Sequence, residues 1–484
     1  MQGGMRMLNR IFKLKDNNTT VRTEIIAGIT TFMTMAYIVM LNPNLLTNFG
    51  ADGAESDLWT AVFLATCISS ATATFVMAFA ANKPFALAPG MGLNSFFATL
   101  CAQVVIISGM SYTKSFQTCL CIIFIEGVVF VVLSLLNVRE KIVDAIPLCV
   151  RNGIAPAMGL MLINIGLGSN VGIYSKNGGP FYVMRDFFGS LTAASARDTI
   201  GEDAWIAMIL ATVTMLVGFF AIVIMNHRGV KASVLLGMIF GSIFYWGGQA
   251  LFLHENPFEA LKGASWLPKF RVMGQTTLFK MNFAGLAEVG WSTVIILIVT
   301  YIVMDMFDTI GTFVGAASRA GMVDENGRMP KMKQALLADA VGTMVGACTG
   351  TSTVTTFVES ASGVEAGGRT GLTSFTTGIL FLACLFISPL ATVIPPAATS
   401  SALIYVGVLM LSGLSRVDLS DVFQLAPVAL MLIAMPISGS VGHAIGIGLI
   451  SSTVINLFTG KAKEISVLTY ILSVIFIVKF FVAF

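Results

Sequence analysis

The sequence predicts an all-α polytopic membrane protein: a fourteen-element inverted repeat, seven plus seven, with two spans broken into half strand and half helix. Three observations carry this. Of 484 residues, 56% are hydrophobic and only 11% charged, and the mean hydropathy of +0.86 lies outside the range of soluble domains. Apolar stretches of about 20 residues, the length that crosses a bilayer, recur along the whole chain. Two further stretches, far apart, turn polar and glycine-rich where a membrane helix is due.

Taken in order, residues 1–23 form a basic segment (Arg6, Arg10, Lys13, Lys15, Arg22) that leads straight into a full-length apolar span, with no cleavable signal peptide. Spans then fall near 24–47, 58–80, 115–136, 150–168, 204–225, 232–253, 291–315, 371–390, 396–413, 421–437 and 440–458. Shorter, more polar segments lie near 84–104, 334–349 and 351–365. An additional apolar segment, 465–483, fits either a fifteenth span or a helix against the bundle, and Lys479 within it decides neither.

The distribution of cations sets an orientation. With the N-terminus cytoplasmic, the connection at 48–57 lies outside and holds Asp52, Glu55 and Asp57 but no Lys or Arg. Lys83, Arg139, Lys141, Arg151, Arg228, Lys231, Arg319, Arg328, Lys331, Lys333, Arg369, Arg416, Lys461 and Lys463 then fall inside. Loops 169–203 and 254–288 are long enough to lie outside despite some Lys and Arg. The alternation holds only if both 84–104 and 351–365 cross the membrane. Seven is odd, so two like halves, roughly 20–255 and 288–460, must have opposite topology.

The third element of each half is the irregular one. In the first, Pro84, Pro89, Gly90 and Gly92 break the helix, and Asn94 opens a new one. In the second, the β-branched cluster Thr351, Thr353, Val354, Thr355 and Thr356 favours extended backbone. A short helix from about Phe357 puts Glu359 in its first turn. Extended backbone at membrane depth is tolerated only where protein buries it or it lines a cavity, and a broken helix with an ionisable group there points to a transporter site. The bland alternative is a polar loop between helices. If the two short helices meet head-on, their N-termini make a site for an electron-rich or anionic group.

Several side chains are candidates for that site. Asp305 and Asp308 share a helix face; they read either as packing carboxylates bonded to neighbouring hydroxyls, or with Asp308 facing the site to bind substrate or carry a coupled proton. Glu359 is the candidate anchor, because a carboxylate accepts two parallel N–H bonds from a planar heterocycle, and Phe357 could offer it a ring face. Asn94 holds a donor and an acceptor for a heterocycle edge, or only caps a helix. Glu126 and Asp339 read as structural. Glu365 and Arg369 read as a surface pair.

The stretches Thr30-Thr-Phe-Met-Thr-Met-Ala-Tyr-Ile38, Ala88-Pro-Gly-Met-Gly-Leu-Asn94, Phe307-Asp-Thr-Ile-Gly-Thr312 and Thr351–Thr370 resemble the AzgA-like purine permeases, a branch of the nucleobase–cation symporters (the nucleobase–ascorbate transporter family). The resemblance runs over nearly the whole chain. It implies import of adenine, guanine or hypoxanthine across the plasma (inner) membrane, proton coupling, elevator-like movement and usually a homodimer. It also implies a core domain (24–136 and 291–392) and a gate domain (137–255 and 393–460), with an extracellular loop at 256–290 and a C-terminal segment at 461–484. Asn94, Asp308 and Glu359 then contact the purine or its proton, and Gly92, Phe357 and Val358 line the pocket. Uracil and xanthine permeases of this fold carry His where this chain has Thr312. That departure speaks for the purine branch and leaves the proton carrier open between Asp308 and Glu359.

Other classes are disfavoured. There is no G-x-x-x-x-G-K-[ST] loop for ATP, no CxxC pair and only three histidines, so neither an enzyme, a cofactor nor a metal site is expected. A net charge of +3 gives no sign of a nucleic-acid partner; the partners expected are purine, protons and membrane lipid. The rival reading is an anion transporter of the sulfate-permease kind, which the resemblance says shares the fold. Asp308 and Glu359 would repel an anion, and no Arg lies in the site elements to compensate.

Overall fold

The computed structural model describes residues 2–47, 56–136, 147–168, 201–262, 264–319, 322, 331–438 and 441–482. Asp52, Glu55, Arg139, Lys141 and Arg328, named above for orientation, lie outside these residues, as do the side chains of Asp308 and Thr312.

An amphipathic helix α1 (Gln2–Phe12) precedes the first span, which is α2 (Val21–Met35) and α3 (Ile38–Leu46) separated by a turn at Ala36 and Tyr37. Next come α4 (Ser56–Val76), β1 (Leu87–Pro89), α5 (Met91–Ser108), α6 (Tyr112–Leu135), α7 (Leu148–Leu167), α8 (Glu202–His227) and α9 (Ser233–Gly248). Two short helices, α10 (Phe270–Thr276) and α11 (Gly285–Val289), join the halves. The second half holds α12 (Trp291–Arg319), α13 (Met332–Thr349), β2 (Val354–Thr356), α14 (Ser360–Glu365) and α15 (Gly371–Ala383). It ends with α16 (Ser388–Val393), α17 (Pro396–Leu411), α18 (Val422–Ser438) and α19 (Val441–Phe458).

The packing repeats between the halves. Helix α6 lies on α13 as α15 lies on α4, the pair α8–α9 is matched by α18–α19, and α8 meets α17 as α7 meets α18. Where α7 crosses α17, Gly159 and Gly407 face each other, and a Cβ on either would come within 2.5 Å of the other's carbonyl oxygen. Only glycine permits that backbone approach, as at other membrane helix crossings. Contacts are densest within two groups, α2–α6 with α12–α15 and α7–α9 with α17–α19.

At the crossing of the two broken spans, β1 and β2 pair antiparallel, Leu87 opposite Thr356 and Pro89 opposite Val354. The ladder continues on both sides: Gly90 N–H donates to Thr353 O (3.1 Å) and Phe357 N–H to Ala86 O (3.0 Å). Two strands leave two outer edges, which no water can satisfy inside a membrane. One threonine covers each. The Thr74 hydroxyl of α4 accepts from Leu87 N–H (3.0 Å) and donates to Leu87 O (3.1 Å). In the other half, the Thr343 hydroxyl of α13 does the same for Val354, at 3.3 Å each way. Pro89, with no N–H to offer, sits opposite Val354 on these outward-facing positions.

Two expectations need adjustment. Asn94 does not open the short helix: α5 starts at Met91 with Gly90 at its cap, and Asn94 lies one turn inside, its N–H donating to Gly90 O (2.8 Å). The helix expected from about Phe357 starts at Ser360, so Glu359 occupies the cap position instead of the first turn. The segment 465–483 forms α20 (Val467–Val482), packed on α19. Phe476 closes over Gly446, and the Thr453 and Ser473 hydroxyls meet at 2.8 Å. At a rise of about 1.5 Å per residue it is roughly 24 Å long, against about 30 Å of hydrocarbon.

Candidate functional site

Glu359 is presented by the ladder. Phe357, buried, is the last residue tied to the first broken span, and the chain then turns into α14. Val358 is 47% exposed and Glu359 partly exposed, whereas Ser360 is buried, its hydroxyl accepting from Ala86 N–H (3.0 Å). The two residues at the corner therefore face outward from the crossing while their neighbours are locked. The Tyr37 hydroxyl donates to Glu359 Oε1 at 2.7 Å, and Thr34 donates to the Glu359 carbonyl (3.4 Å). Among the described residues no other hydrogen bond reaches the carboxylate.

Asn94 lies in a fully buried chain of amides and hydroxyls. Its Nδ2 donates to Asn42 Oδ1 (2.6 Å) and its Oδ1 accepts from Ser352 Oγ. Asn42, on α3, donates in turn to Thr66 (2.7 Å) and Thr351 (2.9 Å). An amide can make four hydrogen bonds, so Asn94 keeps one donor and one acceptor position beyond this chain. At Gly92, two residues earlier, an added Cβ would meet the Sδ of Met158 on α7, so that side chain would have to shift.

The remaining acids divide into those that hold helices together and one that the described residues do not reach. The Thr309 hydroxyl lies between Asp305 (3.1 Å) and Asp339 (2.7 Å), its one proton shared between the two carboxylates, and joins α12 to α13, which is the packing role foreseen as one alternative for Asp305. Thr353 donates to Glu126 (3.1 Å), joining β2's approach to α6. Asp308 lies on α12 one turn after Asp305; its side chain is outside the described residues. Glu365 and Arg369 do not pair: the Arg369 guanidinium donates to the carbonyls of Val364 and Gly368, both at 2.8 Å.

Three residues that hold the candidate site and its neighbouring helix in place escaped the sequence reading. Tyr37 and Asn42 hold Glu359 and Asn94 respectively; a tyrosine and an Asn-Pro pair inside an otherwise apolar span were the available signal. Glu24, buried at the start of α2, accepts from the N–H groups of Arg369 (2.9 Å), Thr370 (3.2 Å) and Thr373 (3.2 Å) and from the Thr373 hydroxyl (2.6 Å). A carboxylate at the N-terminus of α15 satisfies its unpaired donors and complements its dipole.

Comparison with known proteins decides the family. A model described as "Permease family" matches residues 22–447. The chain belongs to this permease family. Among relatives, the permease is 36% identical to adenine permease AdeP of Escherichia coli K12 over 98% of its own length and 96% of AdeP's. It is 36% identical to guanine/hypoxanthine permease PbuG of Bacillus subtilis, over 98% of this chain and 99% of the relative. The family foreseen from Ala88–Asn94 and Thr351–Thr370 is therefore met, and the permease is a transporter, not an enzyme. In fold it is similar to the transmembrane domain of a cyanobacterial bicarbonate transporter, BicA, with a TM-score of 0.59 at 14% identity, covering 90% of this chain and 96% of the other.

Proposed function

We propose that this permease is a proton-coupled importer of purine nucleobases, with hypoxanthine, guanine and adenine as the substrate class. The observation that carries the reading is Glu359: a partly exposed carboxylate, held by one tyrosine, at the corner where two hydrogen-bonded broken spans meet. A carboxylate so placed accepts N–H groups of a flat heterocycle. Asn94, on the other broken span, offers the remaining donor and acceptor of its amide, and Gly92, Phe357 and Val358 form the surrounding wall. The relatives named for adenine and for guanine/hypoxanthine support the same class. The two helix groups correspond to a core that carries the site and a gate against which it moves, split at 24–136 with 291–392 and 137–255 with 393–460. The permease sits in the inner membrane as a homodimer with a cytoplasmic N-terminus. Asp308 or Glu359 carries the proton. Anion transport on the same fold fits the site poorly, since no Lys or Arg occurs between Lys83 and Lys114 or between Lys333 and Arg369.

Uptake of labelled hypoxanthine by cells expressing the permease tests this, with competition by nucleobases, nucleosides and sulfate. Competition by purine bases and collapse of accumulation with a protonophore are expected; competition by sulfate alone overturns the reading. Asp308→Asn should lower accumulation against a gradient more than it lowers purine binding. A variant that still concentrates purine in a pH-dependent way would assign the proton to Glu359.

A further inference from the structure

Tyr37 occupies the turn that interrupts the first span, fully buried, and its hydroxyl reaches Glu359 Oε1 at 2.7 Å, the usual length of an O–H···O bond. The sequence holds an internal control for this contact. Tyr37-Ile-Val-Met40 recurs as Tyr301-Ile-Val-Met304 in the second half, within α12, the first span of that half as α2 and α3 are of the first. Tyr301 is equally buried, its ring packed on Phe96 with centroids 4.8 Å apart, yet among the described residues its hydroxyl has no hydrogen-bond partner. The buried tyrosine ring thus serves packing in both copies, and among the described residues only the first copy's hydroxyl is hydrogen-bonded. What it uses it for is one oxygen of Glu359.

We infer that Tyr37 is a positioning residue for substrate binding: it pins Oε1, fixing the plane of the Glu359 carboxylate and turning Oε2 toward the incoming base. This rests on the reading of Glu359 as the purine anchor. A carboxylate on a glutamate stem otherwise turns through a broad, nearly two-fold terminal torsion, and a base that needs two parallel acceptors must order it on arrival. A donor already on Oε1 provides that order before the base arrives. The lone pair left on Oε1 and those of Oε2 remain for the base.

The test is Tyr37→Phe, which keeps the ring and removes only the hydroxyl, measured as initial uptake rates against purine concentration and as thermal denaturation of the purified permease. A hydrogen bond to a charged group corresponds to about a tenfold change in an equilibrium constant. KM should therefore rise about tenfold while the maximal rate stays within about twofold, with a fall in melting temperature of at most a few degrees. Unchanged KM, or a fall in melting temperature with the maximal rate and KM intact, overturns the role. Glu359→Gln is run beside it. If that variant keeps wild-type KM, the anchor reading itself fails, whatever Tyr37→Phe does. If Glu359→Gln loses binding and Tyr37→Phe does not, the anchor stands and the positioning role falls.

Discussion

The two broken spans are built alike and used differently. Each is a three-residue strand, edge-covered by one threonine, leading into a helix. The first continues for 18 residues as α5, and its polar residue, Asn94, is buried with partners on both ends of its amide. The second helix, α14, has only six residues, and its polar residue, Glu359, stands at the corner, partly exposed and held at one oxygen. An inverted repeat gives both halves the same scaffold; one half holds a fully buried amide and the other an acid on a partly exposed residue.

If this asymmetry is real in function, the open side should be the more sensitive to loss of hydrogen-bonding capacity. Glu359→Gln should have the largest effect. Its amide can still accept from Tyr37, but then presents N–H to a base that also presents N–H, a buried mismatch of about 3 kcal/mol or roughly a hundredfold in purine affinity. Retained affinity within about threefold in a folded variant would erase the distinction between the two sides.

Asn94→Asp probes the locked side. One carboxylate oxygen would face Asn42 Oδ1, acceptor against acceptor, and Asn42 could turn only by giving up Thr66 and Thr351. A cost of about 1–3 kcal/mol is expected, seen as a lower melting temperature together with a roughly tenfold fall in uptake. An Asn94→Asp variant as stable as the wild type would mean that the buried amide is less tightly held than its contacts indicate.

The smallest effect is expected at Gly92→Ala. The new Cβ meets the end of the Met158 side chain, which is flexible enough to shift. Uptake rate should fall within about threefold, with the melting temperature nearly unchanged. A loss as large as that of Glu359→Gln would place the α5–α7 contact inside the binding step.

Sequence patterning made the broken spans legible because proline, glycine and clustered β-branched residues act locally on φ and ψ. The strands at Leu87–Pro89 and Val354–Thr356 follow from that, and so does the position of Glu359 beside them. What the sequence left hidden depends on tertiary contacts. Tyr37 meets Glu359 and Glu24 meets Thr370 only after the halves interlock, hundreds of residues apart in the chain, and Asn42 meets Asn94 only once α3 packs beside α5 within the first half. Nor does local reasoning say that Asp305 would be taken up by Thr309 in a joint with Asp339. The repeated Tyr-Ile-Val-Met tetrad was visible, and a search for internal similarity would have found it.

The pairing of β1 with β2 also bears on how the chain is made. Thr74 precedes Leu87, so one edge of the first strand can be covered as soon as α4 and β1 have both entered the bilayer. The opposite edge waits for Val354–Thr356, which leave the ribosome only after most of the protein. At about 5–20 residues per second the delay is on the order of tens of seconds. Throughout it, the inner peptide groups of residues 86–90 have no protein partner in hydrocarbon, where each bare group costs several kcal/mol. The first seven elements are therefore not a finished unit on insertion. They require shelter, from the translocon or a membrane chaperone, until the second half arrives, and a chain cut short before Val354 becomes a substrate for membrane quality control.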